Sequence, residues 1–325
     1  MRNNKINNTD IFTHQANENF KKHIKTQSKQ ALEMIKNTID WKSLLKPIEK
    51  IVKEKRSIEP AGRPPFDLLV IVRCFLLQNI YGLSDPRLEE EIADRRSFQI
   101  FLELNTGDSI PDETTICRYR DLFAKHNLDK VLFQSFNDQL SRNNMILERV
   151  TLVEATVKQA QAKQGTSREK DATFTKKRGK IYYGFKGHIG VDHATGVIHS
   201  TEFTGANIHD SDMFDRLITG KEQSIYADKG YAGKKRKESI EKKGIFCGIL
   251  EKGYRNQNLN KHQIAKNKQL SRVRSNVERP FSFMTRVLGY DRCSYYGMER
   301  NRFEFNLKAT VYNIRRYLTL KLLLT

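Results

Sequence analysis

The chain has 325 residues, of which 58 are Lys or Arg and 38 are Asp or Glu, so its formal net charge is +20 at pH 7. A chain of this length buries a sizeable core and has room for two domains. The excess of positive charge predicts attraction to polyanions, of which nucleic acid is the commonest. The alternative is a solvated basic surface without such a partner.

The chain also has four widely separated cysteines, Cys74, Cys117, Cys247 and Cys293. Without a CxxC pair, this spacing argues against a zinc ribbon or a disulfide framework and favours a reducing compartment. The longest apolar stretch, 66–77, is interrupted by Arg73 and is too short to span a bilayer. The first residues are polar, unlike a secretory signal. We therefore expect a cytoplasmic protein with no membrane partner.

The first part of the chain predicts a polar tail followed by helices. Residues 1–27 are rich in Asn, Lys, Thr and Gln, a composition typical of disordered segments. Apolar residues at helical spacing then predict helices across 28–143, with a Pro/Gly break at 59–66. Asp40 and Asp112 are placed to cap two of these helices. The region 28–143 is thus predicted to be an all-α N-terminal domain.

The character of the sequence changes after residue 143. Five segments rich in β-branched and aromatic residues, bounded by glycine, predict strands. Helical segments follow the third, fourth and fifth, so the order is β-β-β-α-β-α-β-α. This order predicts a mixed five-stranded sheet with flanking helices, an α/β domain over 144–325. Two strongly basic segments, 158–180 and 252–274, are typical of solvated loops and are also candidates for phosphate contacts.

Three carboxylates occupy positions that this fold would bring together. Glu154 lies in the middle of the first strand, although glutamate is uncommon in strands and costs free energy when buried without a partner. Asp228 follows the fourth strand at a glycine turn, and Glu278 lies on a helix close to Pro280. The three meet if the first strand lies beside the fourth and the helix packs on that face.

Such a cluster would have to take up protons or bind cations. Two carboxylates about 4 Å apart repel by roughly 4 kcal/mol at an effective dielectric of 20. Oxygen ligands suit Mg²⁺ or Mn²⁺, and a pair of these ions assists the breaking and joining of phosphodiesters. Taken singly, Asp228 is an ordinary turn residue, Glu278 with Arg274 a surface helix pair, and Glu154 an edge-strand charge.

Several ordered motifs resemble the IS5 family of insertion-sequence transposases. They are LVEAT (152–156), YYGFKGHIGVDHATGVIHS (182–200), YADKGYAG (226–233) and RSNVERPFSFMTRVLGY (274–290). The helical segments 62–104 and 110–123 are similar to that family's N-terminal domain. The likeness covers about residues 40–317. It implies a DDE enzyme in which 28–143 binds DNA and 144–325 is a ribonuclease-H-like catalytic domain.

The resemblance implies roles for individual residues. Glu154 occupies the place of the first catalytic Asp, Asp228 matches the second, and Glu278 matches the catalytic Glu. All three are therefore expected to be catalytic and to bind Mg²⁺, with Mn²⁺ as an alternative. Arg274 matches an arginine that contacts DNA phosphate or orients the site. The family's basic residue seven positions after the Glu is Thr285 here, and its neighbour Arg286 is expected to substitute.

The expected partner is double-stranded DNA, both the terminal inverted repeats of an element and its target. The helix around 114–120 is expected to read the repeats, and basic side chains between the first two strands are expected to hold the DNA backbone. The residues in these two groups are Thr114, Arg118, Arg120, Lys176, Lys177 and Arg178. Ordinary surface charge is the alternative for Arg118 and Arg120. Two ends must be paired, so the resemblance implies a homodimer or higher oligomer, in the nucleoid-associated cytoplasm of a prokaryote.

The extra methylene of Glu154 leaves alternatives open. A misplacement of 1 Å in a catalytic site can cost about a hundredfold in rate. The leading hypothesis is a transposase that cleaves DNA strands and transfers them. An impaired or inactive copy that only binds DNA is the alternative. A structure-selective or RNA-directed nuclease and a basic interaction protein are further alternatives. Asp171 and Asp192 are nearby acids that could compensate for Glu154.

Overall fold

The structure is a computed structural model that describes residues 26–56, 66–105, 107–161, 169–177, 179–253 and 258–324. Arg178 and residues 1–25 of the predicted tail lie outside the described residues. The chain divides into two compact units between Tyr119 and Arg120. The domain boundary placed at 143/144 follows the change in sequence character and stays a prediction.

The first unit is helical, as predicted. Its helices are α1 (Gln27–Thr38), α2 (Trp41–Arg56), α3 (Leu68–Tyr81), α4 (Asp85–Asp94), α5 (Arg96–Leu102) and α6 (Glu113–Lys125), which continues into the second unit. Both predicted caps are confirmed, because an Asp side chain at each helix start accepts a backbone hydrogen bond. The Ser43 N–H donates to Asp40 over 3.1 Å, and the Thr115 N–H donates to Asp112 over 2.6 Å.

Helix α3 forms the centre of this first unit and is buried over most of its length. Its one cation, Arg73, lies 4.6 Å from the Trp41 ring centroid and 3.2 Å from the Glu103 carboxylate. Among the described helices none is both long and apolar enough to cross a membrane alone. Only α3 and α4 taken together, bent by 102°, meet the criteria of length and composition.

The second unit contains a six-stranded sheet with helices before and after it. Its strands are β1 (Val150–Gln159), β2 (Thr173–Lys177), β3 (Lys180–Asp192), β4 (Ile198–Gly205), β5 (Ser224–Ala227) and β6 (Phe246–Ile249). Its longer helices are α7 (Leu128–Arg142), α9 (Lys234–Lys242), α10 (Lys261–Arg274), α11 (Glu278–Arg286) and α12 (Met298–Leu324), and α8 (Phe214–Leu217) is a single turn.

Strand β1 is central in this sheet. It pairs antiparallel with β3 and parallel with β5, while β4 extends the sheet from β3 and β6 extends it from β5. The first predicted strand therefore lies beside the fourth, and the ribonuclease-H-like mixed α/β fold is confirmed.

The sheet has one strand more than the five predicted. Strand β2 lies inside the basic segment 158–180 and pairs antiparallel with residues 180–184 of β3. Its lysines are exposed, whereas Thr173 and Thr175 are partly buried. The high charge of this segment predicted a loop, but residues 173–177 form a strand, so the interpretation as a loop was wrong for these residues.

The helix predicted after the third strand is also shorter than expected. It consists of a 3₁₀ turn, Asp210–Met213, and the single turn α8. The His209 ring caps the start of the 3₁₀ turn by accepting the Ser211 N–H over 3.2 Å, and the backbone is extended again at Ile218, directly after α8.

A close approach and an amide are two of the contacts through which the C-terminal helix α12 packs on the sheet. A Cβ on Gly187 of β3 would lie 2.5 Å from the Phe305 ring, so only glycine fits there. Asn313 accepts from the Ile198 N–H over 2.9 Å and donates to the Ile198 carbonyl over 2.7 Å. These contacts hold α12 against β3 and β4.

Two buried histidines make the second unit sensitive to acid. Burial lowers the pKa of His188 and of His199 to about 4, below the ordinary value of about 6.5. The His199 ring lies 3.2 Å from the Thr151 hydroxyl, and the His188 ring 3.0 Å from the Thr204 hydroxyl. Both rings are therefore neutral in the folded protein at neutral pH.

We expect the free energy of unfolding to fall as the pH is lowered from about 6.5 towards 4. The unfolded chain takes up protons in this window that the folded protein excludes, which costs roughly 1.4 kcal/mol per pH unit for each histidine. Urea denaturation between pH 5 and pH 7 measures this slope. The variants His188→Gln and His199→Gln should each make it shallower, whatever their stability at pH 7. If both variants kept the wild-type dependence of the unfolding free energy on pH, the attribution of that dependence to His188 and His199 would be contradicted.

Candidate active site

Two of the three predicted carboxylates lie on neighbouring strands. Val153 of β1 is opposite Ala227 of β5 in parallel register, so Glu154 and Asp228 are the next residues along these strands. Asp228 directly follows β5 and accepts the Lys229 N–H over 2.7 Å, which caps a 3₁₀ turn. The strand order thus brings these two acids together from positions far apart in the sequence.

The third carboxylate reaches the same region through an arginine. Glu278 begins α11, and its side chain is 69% exposed. Arg274, the last residue of α10, donates one guanidinium nitrogen to the Glu154 carboxylate and places another 3.7 Å from Glu278. Arg274 therefore links the central strand to the start of α11.

Glu154 experiences opposing electrostatic effects. Its burial raises the pKa of the carboxyl, and Asp228 raises it further, whereas Arg274, the Ala155 N–H and Lys177 lower it. The Glu154 side chain is 20% exposed and that of Arg274 15% exposed. A buried charge needs a partner of opposite sign, and Arg274 is that partner.

This conformation does not fit a metal ion shared by the three carboxylates. The Arg274 guanidinium is bound to Glu154, where a cation would have to be held. Within the part of the chain that the structure describes, no three His, Cys, Asp or Glu side chains lie close enough to hold a metal together. The joint ligation by Glu154, Asp228 and Glu278 that the sequence predicted is therefore not formed in this conformation.

A fourth carboxylate near the site escaped the sequence analysis. Asp210 lies 2.9 Å from the ammonium of Lys186 on β3. Burial raises the pKa of the Tyr231 phenol, and Asp210, Glu154 and Asp228 each raise it further, so all three acids act on the same buried ring. The acidic stretch DSD after the third predicted strand was the available signal.

The two acids named as possible substitutes for Glu154 have structural contacts instead. Asp192 accepts the N–H groups of Leu147 and Glu148, each over 2.9 Å. Asp171 accepts the Met298 N–H over 2.9 Å. These contacts use them to fix turns and the start of α12.

The predicted DNA-contacting residues differ in accessibility. Arg120 is only 2% exposed, and its guanidinium lies 4.7 Å from the Tyr295 ring centroid. Because it is buried, we do not include Arg120 among the residues proposed to contact DNA. Arg274 is partly buried, and the remaining described members are exposed: Thr114, Arg118, Lys176, Lys177 and Arg286. Thr114 and Arg118 are one turn apart on α6 and share a face.

A lysine from another element lies beside Thr285, at the position where the resemblance implies a basic residue. The Lys158 ammonium of β1 lies 3.3 Å from the Thr285 hydroxyl and donates to the Tyr290 carbonyl. Burial lowers the pKa of Lys158 to about 8. A cation thus reaches this part of the site from β1, in addition to the neighbouring Arg286.

Comparison with known families identifies two transposase families that match this chain. The family described as "Transposase DDE domain" matches residues 147–314, more than half of the chain. The chain belongs to the DDE transposases. A second family, described as "Transposase domain (DUF772)", matches residues 18–122 of this transposase. DDE transposases in general cleave and transfer DNA strands and use divalent metal ions.

Two solved transposase structures show a partial likeness to this one. The cryo-EM structure of the piggyBac transposase synaptic complex with hairpin DNA has a TM-score of 0.46 and 8% identity, covering 82% of this chain and 70% of that chain. The crystal structure of the Mos1 strand transfer complex has a TM-score of 0.20 and 12% identity, covering 78% and 88%. Both scores are below 0.5, so the assignment of this transposase rests on the family matches.

We expect Arg274→Gln to lower the free energy of unfolding by about 1–3 kcal/mol, because it leaves the Glu154 carboxylate partly buried without its cation. Adding Glu154→Gln should recover part of this loss, giving a coupling of at least ~0.5 kcal/mol in a double-mutant cycle measured by urea denaturation. Arg272→Gln, an exposed change on the same helix, is the control and should stay within about 0.5 kcal/mol of wild type. If the double-mutant cycle showed no coupling, the ion pair between Arg274 and Glu154 would not be stabilising.

Proposed function

We propose that this transposase belongs to an insertion sequence of the IS5 family. It binds the terminal inverted repeats, cleaves DNA there and transfers the strands to a target. The observation that carries the proposal is the parallel register that puts Glu154 beside Asp228, with Arg274 connecting them to Glu278. The net charge of +20 supports a DNA partner.

Glu154, Asp228 and Glu278 are the catalytic residues of this proposal, and Mg²⁺, or else Mn²⁺, is the proposed cofactor because all-oxygen ligands suit these ions. For the three carboxylates to act on one phosphate, Glu154 has to be released from Arg274. An incoming phosphodiester would compete with Glu154 for Arg274, because a guanidinium forms the same bidentate hydrogen bonds with a phosphate as with a carboxylate. Arg274 would exchange one anion for another.

The rest of the proposal concerns how DNA is held. Thr114 and Arg118 read the repeats from α6, while Lys176 and Lys177 contact backbone phosphates from β2. Pairing two DNA ends requires two copies, so we propose a homodimer or larger assembly. The proposed location is the nucleoid-associated cytoplasm of a prokaryote.

A second candidate function is DNA binding without catalysis. It is favoured by the same pair of residues, because Glu154 has one methylene more than aspartate and is bound to Arg274. In this case the protein occupies the repeats and competes with active copies.

Nicking of a plasmid that carries the chain's own gene with its genomic flanks separates these functions. In Mg²⁺ or Mn²⁺ the wild type should nick at the flanks, and Asp228→Ala should not. Binding to the flanks without nicking would favour the second candidate. Equal nicking of flank-free plasmid would indicate a nuclease instead, and no binding to either plasmid would refute both functions.

We expect Glu154→Asp to cleave faster than the wild type in Mg²⁺, by about tenfold or more, given that small misplacements in a site cost up to a hundredfold. The shorter side chain draws the carboxylate back from Arg274 and towards the strand. The rate of flank nicking by the two proteins measures the effect. Glu154→Gln, which keeps the length but not the charge, should abolish nicking. A Glu154→Asp rate equal to or below wild type would show that Glu154 is not an impaired ligand.

A further inference from the structure

A groove of about 570 Å³ opens beside Glu278, between α11 and α12. Four arginines line it: Arg279, Arg286, Arg315 and Arg316. None of the four forms an ion pair with an Asp or Glu of the described residues. Four cations around one groove repel one another, and an anionic ligand relieves this repulsion.

The groove has an aromatic floor between its arginines. The Arg315 guanidinium lies 5.1 Å from the Phe283 ring centroid, and Phe283 meets Tyr312 edge-on with centroids 5.5 Å apart. Arg316 is fixed by donating to the Thr195 carbonyl over 2.5 Å. Arginines held beside aromatic rings along a groove are features of surfaces that follow a nucleic-acid strand.

The groove is continuous with the candidate active site. Ser275 and Glu278 form its near end, and Glu278 lies 3.7 Å from Arg274. A strand whose phosphate is held at Arg274 would pass Glu278 and enter the groove next. Arg279 and Arg286, two turns apart on α11, lie along one side of that path.

We propose that this arginine groove, defined by Arg279, Arg286, Arg315 and Arg316, holds the backbone of the DNA strand that continues from the scissile phosphate. The inference rests on the proposed function and deepens it by assigning a strand-binding surface. Among these residues only Arg286 was expected to contact DNA from the sequence. The groove adds the arginines of α12, a helix that sequence analysis left without a function.

Binding of the full chain to a 40-bp duplex from the gene flanks, measured by fluorescence anisotropy across a salt series, tests the groove. The variant Arg279→Gln/Arg315→Gln removes two exposed cations from it. The matched control, Lys234→Gln/Lys235→Gln, removes two exposed cations from α9. The groove variant should bind about tenfold or more weaker, and its slope of log affinity against log salt should be shallower by roughly 2, at about 0.9 per phosphate contact. The control should change affinity by less than about threefold.

The outcomes separate the groove from the function on which it rests. If the wild type binds DNA and both variants lose equal affinity, the groove is overturned while the proposed function stands. If the wild type shows no salt-dependent binding, the proposed function itself fails. Tripolyphosphate binding that the groove variant loses, with DNA affinity unchanged, would overturn the DNA strand in favour of a free anion.

Two further measurements keep the test decisive if the double variant folds poorly. The single change Arg286→Gln, at the exposed end of α11, should also weaken DNA binding. A photo-crosslinking residue at Ser282, in the groove, should crosslink to the duplex, and the same residue at Lys242, on α9, should not. Equal crosslinking at both positions would count against the groove.

Discussion

Glu154 lies partly buried in the central strand, and its charge is balanced by Arg274, 120 positions further along the chain. The strand supplies hydrogen bonds to its backbone but only the adjacent Ala155 N–H to its carboxylate. The cation therefore has to come from another element, and α10 delivers it. Because Arg274 ends α10 and Glu278 begins α11, the same contact fixes where the third carboxylate enters the site.

The sheet makes this contact possible through two features of β3. Strand β3 pairs antiparallel with both β1 and β4, and β5 joins the other side of β1 in parallel. Gly187 then lets Phe305 of α12 approach the sheet more closely than any side chain would allow. Burial on that face is thus completed by α12, next to the helices that carry Arg274 and Glu278.

Local patterns were sufficient for some of these features and insufficient for others. The caps at Asp40 and Asp112 and the strand around Glu154 were predictable because they depend on neighbours in sequence. The adjacency of Glu154 and Asp228 was predicted on the condition that the first strand lies beside the fourth, a condition that the pairing of β1 with β5 meets. The burial of Arg120, the pairing of Arg274 with Glu154 and the position of Asp210 depend on tertiary packing, which spacing does not encode. Strand β2 was missed because its lysines made the segment resemble a solvated loop, although exposed lysines are compatible with a strand.

The two sets of arginines differ in what an incoming DNA strand has to displace. Arg274 is already neutralised by Glu154 and Glu278, so a phosphate arriving there competes with carboxylates. The arginines of the groove form no ion pair with an Asp or Glu of the described residues, and their mutual repulsion favours the binding of an anion there first. On the proposed function, DNA would therefore occupy the groove before it reaches Arg274, and a strand already held beside Glu278 would raise the local concentration of phosphate at the pair. The ion pair would then protect the buried carboxylate until DNA is present, and the groove would provide the binding free energy that opens it.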